Sequence, residues 1–269
     1  MHFWKKNAIS TAQEERRWER WRIIFNILES QQVASVTELL EATRSKPAIL
    51  EHDLNSLCQA GLVRRTARNG VALEGYHPEK SLEERAAENI EAKGRIAKLV
   101  AEKYVEPGMT LFLDASTTVA AVCPHIASKK LLVITNGLSL IRVLRREEFV
   151  GDIICTGGTY RALSNSVVGH GASEVITHYS ADLALLGTDG ISSNMDVMEA
   201  HPDEALVKRA MARHAKTTLV MALPDKFRDS SLLPITNLSE VTALISTEFP
   251  DQKFVQAARK TGVRLECPA

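Results

Sequence analysis

Residues 110–118 of this 269-residue chain read Thr-Leu-Phe-Leu-Asp-Ala-Ser-Thr-Thr. Four residues of strand-forming type lead directly into an aspartate, a serine and two threonines, after which the sequence is compatible with a helix. Ligands of α/β sheets bind beyond the carboxyl ends of the strands, so residues 114–118 are a candidate phosphate cradle. Simple N-capping of the helix is the alternative explanation of the same hydroxyls.

The alternation of short apolar segments with helical stretches continues along the chain. Further strand-like segments lie at residues 131–134, 152–155, 183–186, 218–221 and 243–246. This pattern predicts an α/β fold with a mainly parallel sheet. Small or polar residues follow five of the strands and together predict a polar small-molecule site, although a tight turn alone would explain each glycine. The effector-binding residues predicted at the strand ends are Asp114, Ser116, Thr117, Thr118, Thr135, Asn136, Gly137, Gly157, Gly158, Gly187, Asp189, Gly190, Asp225 and Lys226.

A predicted helix over residues 203–215 adds Glu204 and Lys208, which lie four residues apart on one helical face. Lys208 is a candidate phosphate-binding cation, and a solvent-facing ion pair is the alternative. The histidines of this part of the chain lack metal-ligand spacing, and the four cysteines form no C-x-x-C pair. No metal or other cofactor is therefore expected.

Three helices are predicted in the amino-terminal part of the chain. Residues 16–29 carry apolar side chains at helical spacing, and Ser35 and Glu38 form a capping box that opens a second, short helix. A third helix begins at Pro47. Its predicted inner face consists of Ile49, Leu50, Leu54 and Leu57.

A basic β-hairpin is predicted after these helices. Gly61 ends the third helix, and Asn69-Gly70 between two strand-like segments is a strong hairpin signal because both residues tolerate positive φ. Three helices followed by a hairpin predict a winged helix-turn-helix, in which the third helix enters the major groove and the hairpin contacts phosphates. The predicted DNA-binding residues are Ser45, Lys46, His52, Arg64, Arg65 and Arg68.

Charge is balanced over the whole chain but not within it. The 33 Lys+Arg and 33 Asp+Glu, with 45% hydrophobic residues, exclude collagen-like and wholly disordered chains. Residues 1–73 hold 11 basic and 8 acidic side chains and all three tryptophans, which predicts two modules. The predicted boundaries are a DNA-binding domain over 14–74, a linker over 75–80 and a sensor domain over 81–269. No apolar leader region and no run of 18 apolar residues is present, so a cytoplasmic protein without a membrane span is expected.

The carboxy-terminal module opens with a helix signal. Ser81 and Glu84 form a second capping box. The apolar spacing beyond it predicts one long helix that continues through Ile90 to Tyr104 and ends before Pro107-Gly108.

Two sets of motifs share their order along the chain with a known family. The amino-terminal set comprises Asp53-Leu54, Leu57, Gly61-Leu62, Arg65 and Gly70. The carboxy-terminal set comprises residues 112–118, 133–136, 156–158 with Arg161, 168–169, 182–190, 204–210 and 225–227. In this order the motifs resemble the DeoR family of bacterial transcriptional regulators.

The resemblance implies a winged helix-turn-helix that binds a double-stranded DNA operator, followed by a sensor domain related in fold to ribose-5-phosphate isomerase. The implied effector is a phosphorylated sugar, and Arg161 joins its predicted contacts. A repressor of carbohydrate-metabolism genes that acts as a homo-oligomer, a dimer or a tetramer, is expected. The sequence departs from the family at Glu51 and His52, where the family has paired arginines, and at Ser116, where it has glycine.

Two alternatives to a DNA-binding regulator stay open at this point. The first is a sugar-phosphate isomerase, in which a carboxylate such as Asp114, Asp189, Glu204 or Asp225 acts as base and Lys208 or Lys226 as electrophile. The second is an interaction protein with a repurposed third helix, which Glu51 and His52 would favour. A winged helix has no role in isomerising a free sugar, so the sequence favours the regulator over the enzyme.

Overall fold

The computed structural model describes residues 8–59, 62–67, 69–73, 80–228 and 233–268. These residues divide into two compact units, one up to residue 78 and one from residue 79 onward. Within the described ranges, the helices are all too short or too polar to cross a membrane.

Three helices and a small antiparallel sheet make up the amino-terminal unit. The elements are α1 (Ala8–Gln31), β1 (Val33–Ser35), α2 (Val36–Thr43), α3 (Pro47–Gln59), β2 (Val63–Thr66) and β3 (Gly70–Leu73). The strand order is β1-β3-β2, so the second strand of the hairpin lies at the centre. The sequence does not predict β1, because three residues are too few to show an alternating pattern.

Helix α3 buries a narrower face than the sequence predicts. Leu50, Leu54 and Leu57 are fully buried. The prediction for Ile49 is wrong, since 41% of this residue is exposed. It lies one residue before Leu50 and is therefore rotated by about 100° from the buried stripe. Gly61 and Arg68, which the sequence assigns to the helix end and the hairpin, lie outside the described residues.

A buried carboxylate on α3 is paired with arginines of α1. Asp53 is fully buried. Arg20 Nε donates to Asp53 Oδ2 at 2.5 Å, and Arg17 Nε lies 3.6 Å from Asp53 Oδ1. A charge away from water is tolerated when it is paired in this way. The contact therefore ties α3 to α1.

The carboxy-terminal unit is a mixed α/β structure. Its helices are α4 (Leu82–Ala87), α5 (Ile90–Lys103), α6 (Thr117–Ala120), α7 (Cys123–Ile126), α8 (Leu138–Arg146), α9 (His170–Thr177), α10 (Pro202–Arg213) and α11 (Gln252–Lys260). Its strands are β4 (Thr110–Leu113), β5 (Leu132–Thr135), β6 (Asp152–Cys155), β7 (Thr159–Arg161), β8 (Ser166–Val168), β9 (Ala181–Gly187), β10 (Gly190–Ile191), β11 (Asp196–Glu199), β12 (Ala215–Met221), β13 (Leu233–Asn237), β14 (Ala243–Ile245) and β15 (Arg264–Glu266).

Seven of these strands form the predicted parallel sheet. Their order is β15-β14-β12-β9-β4-β5-β6, and every neighbouring pair is parallel. Both faces are covered: Leu111 and Leu113 of β4 belong to one apolar cluster and Phe112 to another. The alternation follows from the two-residue period of a strand and explains why the central strands are apolar throughout. The α/β prediction is confirmed.

The prediction of a single long helix after Ser81 is wrong. The chain forms two helices, α4 and α5, separated at Glu88 and Asn89. Asn89 adopts a left-handed conformation with φ 53°, which asparagine tolerates better than most residues. The break leaves Ile90 66% exposed, although the sequence places it on the apolar face. It also creates a sharp corner that contributes to the site described next.

Candidate functional site

A solvent-open cavity lies in the carboxy-terminal unit, beyond the carboxyl ends of β4, β9 and β12. The residues that line it come from three strand ends, α10 and the corner between α4 and α5. They are Arg85, Glu88, Asn89, Lys93, Ala115, Ser116, Thr117, Thr118, Thr188, Asp189, Glu204, Lys208, Leu223, Asp225 and Lys226. Eight of the predicted effector-binding residues are thus brought together.

Asp114 joins the loop after β4 to the end of β9. Its side chain is fully buried, and its carboxylate accepts from Ser116 N at 2.7 Å and from Gly187 N at 2.8 Å. Two backbone N–H groups and one carboxylate therefore hold two neighbouring strand ends in fixed positions. Asp114 lies behind the cavity wall instead of lining it.

Ser116 packs tightly against Gly187. A Cβ atom at position 187 would lie 2.3 Å from Ser116 Oγ and 2.4 Å from Ser116 Cβ, closer than any real contact. The Ser116 hydroxyl accepts from Val119 N at 3.0 Å, which gives it the N-capping role on α6. Thr117 and Thr118 follow it along the cavity wall.

Lys208 is the centre of a buried charge cluster. Its Nζ lies 3.2 Å from Asp114 Oδ2, donates to the Gly187 carbonyl at 3.2 Å and also donates to Glu199 Oε2. Burial opposes its charge, but the carboxylates of Asp114 and Glu199 hold the pKa of Lys208 well above its ordinary value. The side chain is 8% exposed, so it is a charged group almost entirely removed from water.

Asp189 and Glu199 share a hydrogen bond beside this lysine. Burial and the negative charge of Asp189 raise the pKa of Glu199 well above its ordinary value. Burial also opposes ionisation of Asp189, but the hydrogen bond from Glu199 and the charge of Lys208 hold the pKa of Asp189 below its ordinary value. One proton is therefore shared by the pair and resides on Glu199. The sequence gives no sign of Glu199 as a site residue.

The Glu199→Gln variant tests whether Glu199 carries this proton. A carboxyl whose pKa is raised in the fold stabilises the fold below its unfolded pKa of about 4.5 and loses that stabilisation as the pH rises through its folded pKa. We expect the melting temperature of the parent chain to fall relative to Glu199→Gln as the pH is raised above about 5, because glutamine imitates the protonated acid at every pH. Melting curves of both chains from pH 5 to pH 8 give this difference, and other titrating groups cancel in it. A difference that stays constant over this range would contradict the shared proton.

Glu204 pairs with an arginine from another part of the fold. Arg161 Nη1 of β7 lies 3.0 Å from Glu204 Oε1; Glu204 is buried, and the Arg161 side chain is 13% exposed. Glu204 and Lys208 are both buried, so the alternative of a solvent-facing ion pair on α10 is wrong. Arg161, predicted only through the family resemblance, thereby reaches the cavity wall through Glu204.

The corner between α4 and α5 supplies cations that the sequence analysis missed. Lys93 is buried on α5, and its Nζ donates to the carbonyls of Glu88, at 2.8 Å, and of Arg85. Burial lowers the pKa of Lys93 against the attraction of Glu88, and the positive charges of Lys226 and Arg85 lower it further. The sequence contains one signal that could have identified Lys93: it lies three residues before Ile96, and therefore on the apolar face of the helix.

The turn over Pro224–Lys226 closes the cavity beyond β12. Lys226 Nζ lies 3.6 Å from Asp225 Oδ2. The side chain of Lys226 is mostly covered, whereas that of Asp225 is mostly exposed. Lys226 therefore faces the same space as Lys93 and Arg85.

The ends of β5 and β6 do not line the cavity. The predicted residues outside its lining are Asp114, Thr135, Asn136, Gly137, Gly157, Gly158, Arg161, Gly187 and Gly190. Thr135 Oγ1 donates to the Leu113 carbonyl at 2.7 Å and accepts from Gly137 N at 3.0 Å, so it supports the adjoining loop. The sheet order explains the difference, because β9 and β12 lie on one side of β4, whereas β5 and β6 lie on the other.

The amino-terminal unit exposes most of its predicted DNA contacts. The exposed residues among them are Lys46, His52, Arg64 and Arg65. Ser45 Oγ lies 2.9 Å from Thr43 Oγ1. Arg65 Nη2 on β2 donates to Glu51 Oε2 on α3 at 2.5 Å, an ion pair that the sequence analysis did not predict.

The chain is similar to a known family and to known repressors. Residues 88–248 match the DeoR C-terminal sensor domain. The glycerol-3-phosphate regulon repressor of Escherichia coli is 28% identical over 253 residues, which are 93% of this chain and 99% of that protein. The HTH-type transcriptional repressor GlcR of Bacillus subtilis is 31% identical over 231 residues, 86% of this chain and 87% of that protein.

A solved ribose 5-phosphate isomerase from Plasmodium falciparum superposes with a TM-score of 0.38 at 16% identity, covering 51% of this chain and 53% of that one. The sensor-domain match covers more than half of the chain, and the two repressors align over nearly their whole lengths. The chain therefore belongs to the DeoR family of transcriptional regulators, and residues 88–248 are its sensor domain.

Proposed function

We propose that this regulator is a repressor of carbohydrate-metabolism genes that binds operator DNA through its amino-terminal unit and a phosphorylated sugar in the cavity of its sensor domain. The proposed domains are a winged helix-turn-helix over 14–74, a linker over 75–80 and a sensor domain of ribose-5-phosphate isomerase type over 81–269. A dimer or tetramer in the cytoplasm is proposed with it, since winged helices commonly bind two half-sites. The observation that carries the proposal is the cavity. It is lined on one side by the cations Arg85, Lys93 and Lys226, called here the cationic corner, and on the other by a cluster of carboxyl groups.

The cationic corner suits a phosphate. Arg85, Lys93 and Lys226 face one part of the cavity beside the hydroxyls of Thr117 and Thr118. Burial and mutual repulsion lower the pKa of Lys93, so an anion placed there would be attracted by the whole group and would favour its charged form. Hydrogen bonds between ionised groups are about twice as strong as neutral ones. The phosphate of the effector is therefore assigned to this corner.

The carboxylate cluster suits sugar hydroxyls. Asp189 and Glu204 line the cavity and offer acceptor oxygens. Lys208 is already paired with Asp114 and bonded to Glu199, so its role in the proposal changes from phosphate binding to holding these carboxyl groups in place. A site built from oriented acceptors selects hydroxyl groups by geometry, because an unpaired buried acceptor is costly.

The amino-terminal unit supports the DNA-binding part of the proposal. Its three helices and three-stranded sheet follow the order of a winged helix-turn-helix. Arg64 on β2 and Lys46 before α3 are exposed cations on these elements. Both relatives described above are named as repressors.

A thermal-shift screen tests the effector. A ligand stabilises the folded state in proportion to the logarithm of its concentration over its Kd. We expect a phosphorylated sugar to raise the melting temperature, and the same sugar without phosphate to have no effect at equal concentration. Absence of any shift across a panel of sugar phosphates would rule out the proposed effector class.

Duplex binding that does not weaken with salt would rule out the DNA-binding part.

The Lys93→Met variant tests the phosphate corner. Loss of a hydrogen bond to a charged group corresponds to roughly a 10- to 100-fold weaker Kd for the phosphorylated ligand. Methionine preserves the aliphatic packing, so the unliganded melting temperature shows whether the fold is retained. Lys98→Met on the same helix is the matched control, because Lys98 is exposed and, among the described residues, forms an ion pair with Glu102 alone, at 3.9 Å. Equal affinities of the two variants would place the phosphate elsewhere.

A further inference from the structure

The exposed face of α3 has an unusual charge for a helix that enters a DNA groove. Helix α3 contains no lysine or arginine. Its acidic residues are Glu51 and Asp53, of which Asp53 is buried against α1. Glu51 is therefore the single exposed carboxylate on this helix, all of which lies in the described part of the chain. It lies in the amino-terminal half, the part of a recognition helix that contacts base edges.

Glu51 is held in position by the hairpin. Arg65 Nη2 donates to Glu51 Oε2 at 2.5 Å, and their side chains are 34% and 48% exposed. Within the described residues, Glu51 makes its side-chain contact through Oε2 alone, and Oε1 has no hydrogen-bond partner. The guanidinium offsets the charge of the carboxylate and reduces its repulsion by phosphates. One oxygen is fixed and the other is free to accept.

We propose that Glu51 is a specificity-determining residue that accepts a hydrogen bond from the amino group of a cytosine in the operator, with Arg65 as its positioning residue. This inference rests on the proposed DNA-binding function. In the major groove, guanine and thymine present acceptor oxygens, which repel a carboxylate. Adenine presents its amino group beside the N7 acceptor, whereas cytosine presents an amino donor alone. An acceptor-only side chain therefore selects cytosine.

The test uses the full-length chain and duplexes selected from a random library. For the parent chain, replacing one cytosine in each half-site should weaken binding by about 5- to 100-fold at fixed salt. Glu51→Ala should bind the selected duplex and the replaced duplex equally well. Glu51→Gln should change the preference at that position from cytosine to adenine, because an amide pairs with both the amino group and N7 of adenine. Arg65→Met should reduce the cytosine preference without changing it to another base.

Glu41→Ala is the matched control, since Glu41 is an exposed glutamate on α2 in the same unit. It removes the same charge and should leave the cytosine preference unchanged. If Glu51→Ala keeps that preference and only binds every duplex more tightly, the ion pair merely withholds Arg65 from phosphates and the proposal is wrong. A parent chain that binds every duplex equally well would also contradict the proposal. If it binds no duplex at all, the DNA-binding function itself fails, which is a distinguishable result.

Discussion

Replacing Lys208 with methionine should lower the free energy of unfolding of the sensor domain by about 3–5 kcal/mol. Removal of one partner of a buried ion pair leaves the other charge uncompensated, which is the costly case. Here the Asp114 carboxylate and the Asp189–Glu199 pair, which carries one negative charge, would lose their common partner. Denaturant unfolding followed by far-UV circular dichroism gives the change in free energy. We also expect the variant to lose effector binding, because the acceptor groups of the cavity would no longer be held in place.

Two further variants test whether the loss of the buried ion pairs causes the destabilisation by Lys208→Met. Lys208→Met combined with Asp114→Asn should recover part of the lost stability, since fewer unpaired charges remain buried. Lys216→Met is the control, because Lys216 is 72% exposed and its ion pair with Asp182 is a surface pair worth at most about 1 kcal/mol. A Lys208→Met chain that unfolds at the same denaturant concentration as the parent would contradict the buried cluster.

The Arg20→Met variant should destabilise the amino-terminal unit by about 2–4 kcal/mol. Within the described residues, it leaves the fully buried Asp53 with the more distant Arg17, at 3.6 Å, and removes the 2.5 Å hydrogen bond from Arg20. All three tryptophans lie in the first 21 residues, and Trp18 and Trp21 are buried. Tryptophan fluorescence therefore follows this unit alone, and its unfolding midpoint is the measurement.

The control for the Arg20→Met variant is Arg64→Met in the same unit. Arg64 is exposed on β2, and its replacement should change stability by less than about 0.5 kcal/mol. The fluorescence transition of Arg20→Met should move while that of Lys208→Met stays in place. Equal midpoints for Arg20→Met and Arg64→Met would show that the pairing with Asp53 does not fix α3.

Local patterns were enough to predict the parallel sheet and part of the site. Thr110–Leu113 is a strand as predicted, because its apolar residues are bounded by polar ones, and the capping boxes at Ser35 and Ser81 both form. A parallel sheet brings its strand ends to one edge, so residues 116–118 and 188–189 meet. The sequence does not contain the strand order, and so it could not show that the ends of β5 and β6 lie outside the lining of this cavity.

Contacts between distant elements could not be predicted. Helical spacing places Glu204 and Lys208 on one face but does not say that Glu204 binds Arg161. The helix breaks at Asn89 without a proline or glycine, so the sequence pattern predicts one continuous helix there. The corner that carries Lys93 could therefore not be predicted. Spacing determines which face a residue occupies, whereas the partner on that face is set by the tertiary fold.

The contact between Ser116 and Gly187 has a consequence for how this sequence can change. Position 187 has no room for a methyl group while position 116 carries a side chain. Replacement of Ser116 by glycine would remove the atoms that block it. The two positions therefore form a mutually exclusive pair, in which at most one side chain is accommodated. While serine is kept at 116, position 187 is confined to glycine, and a side chain at 187 becomes accessible only after 116 has changed to glycine.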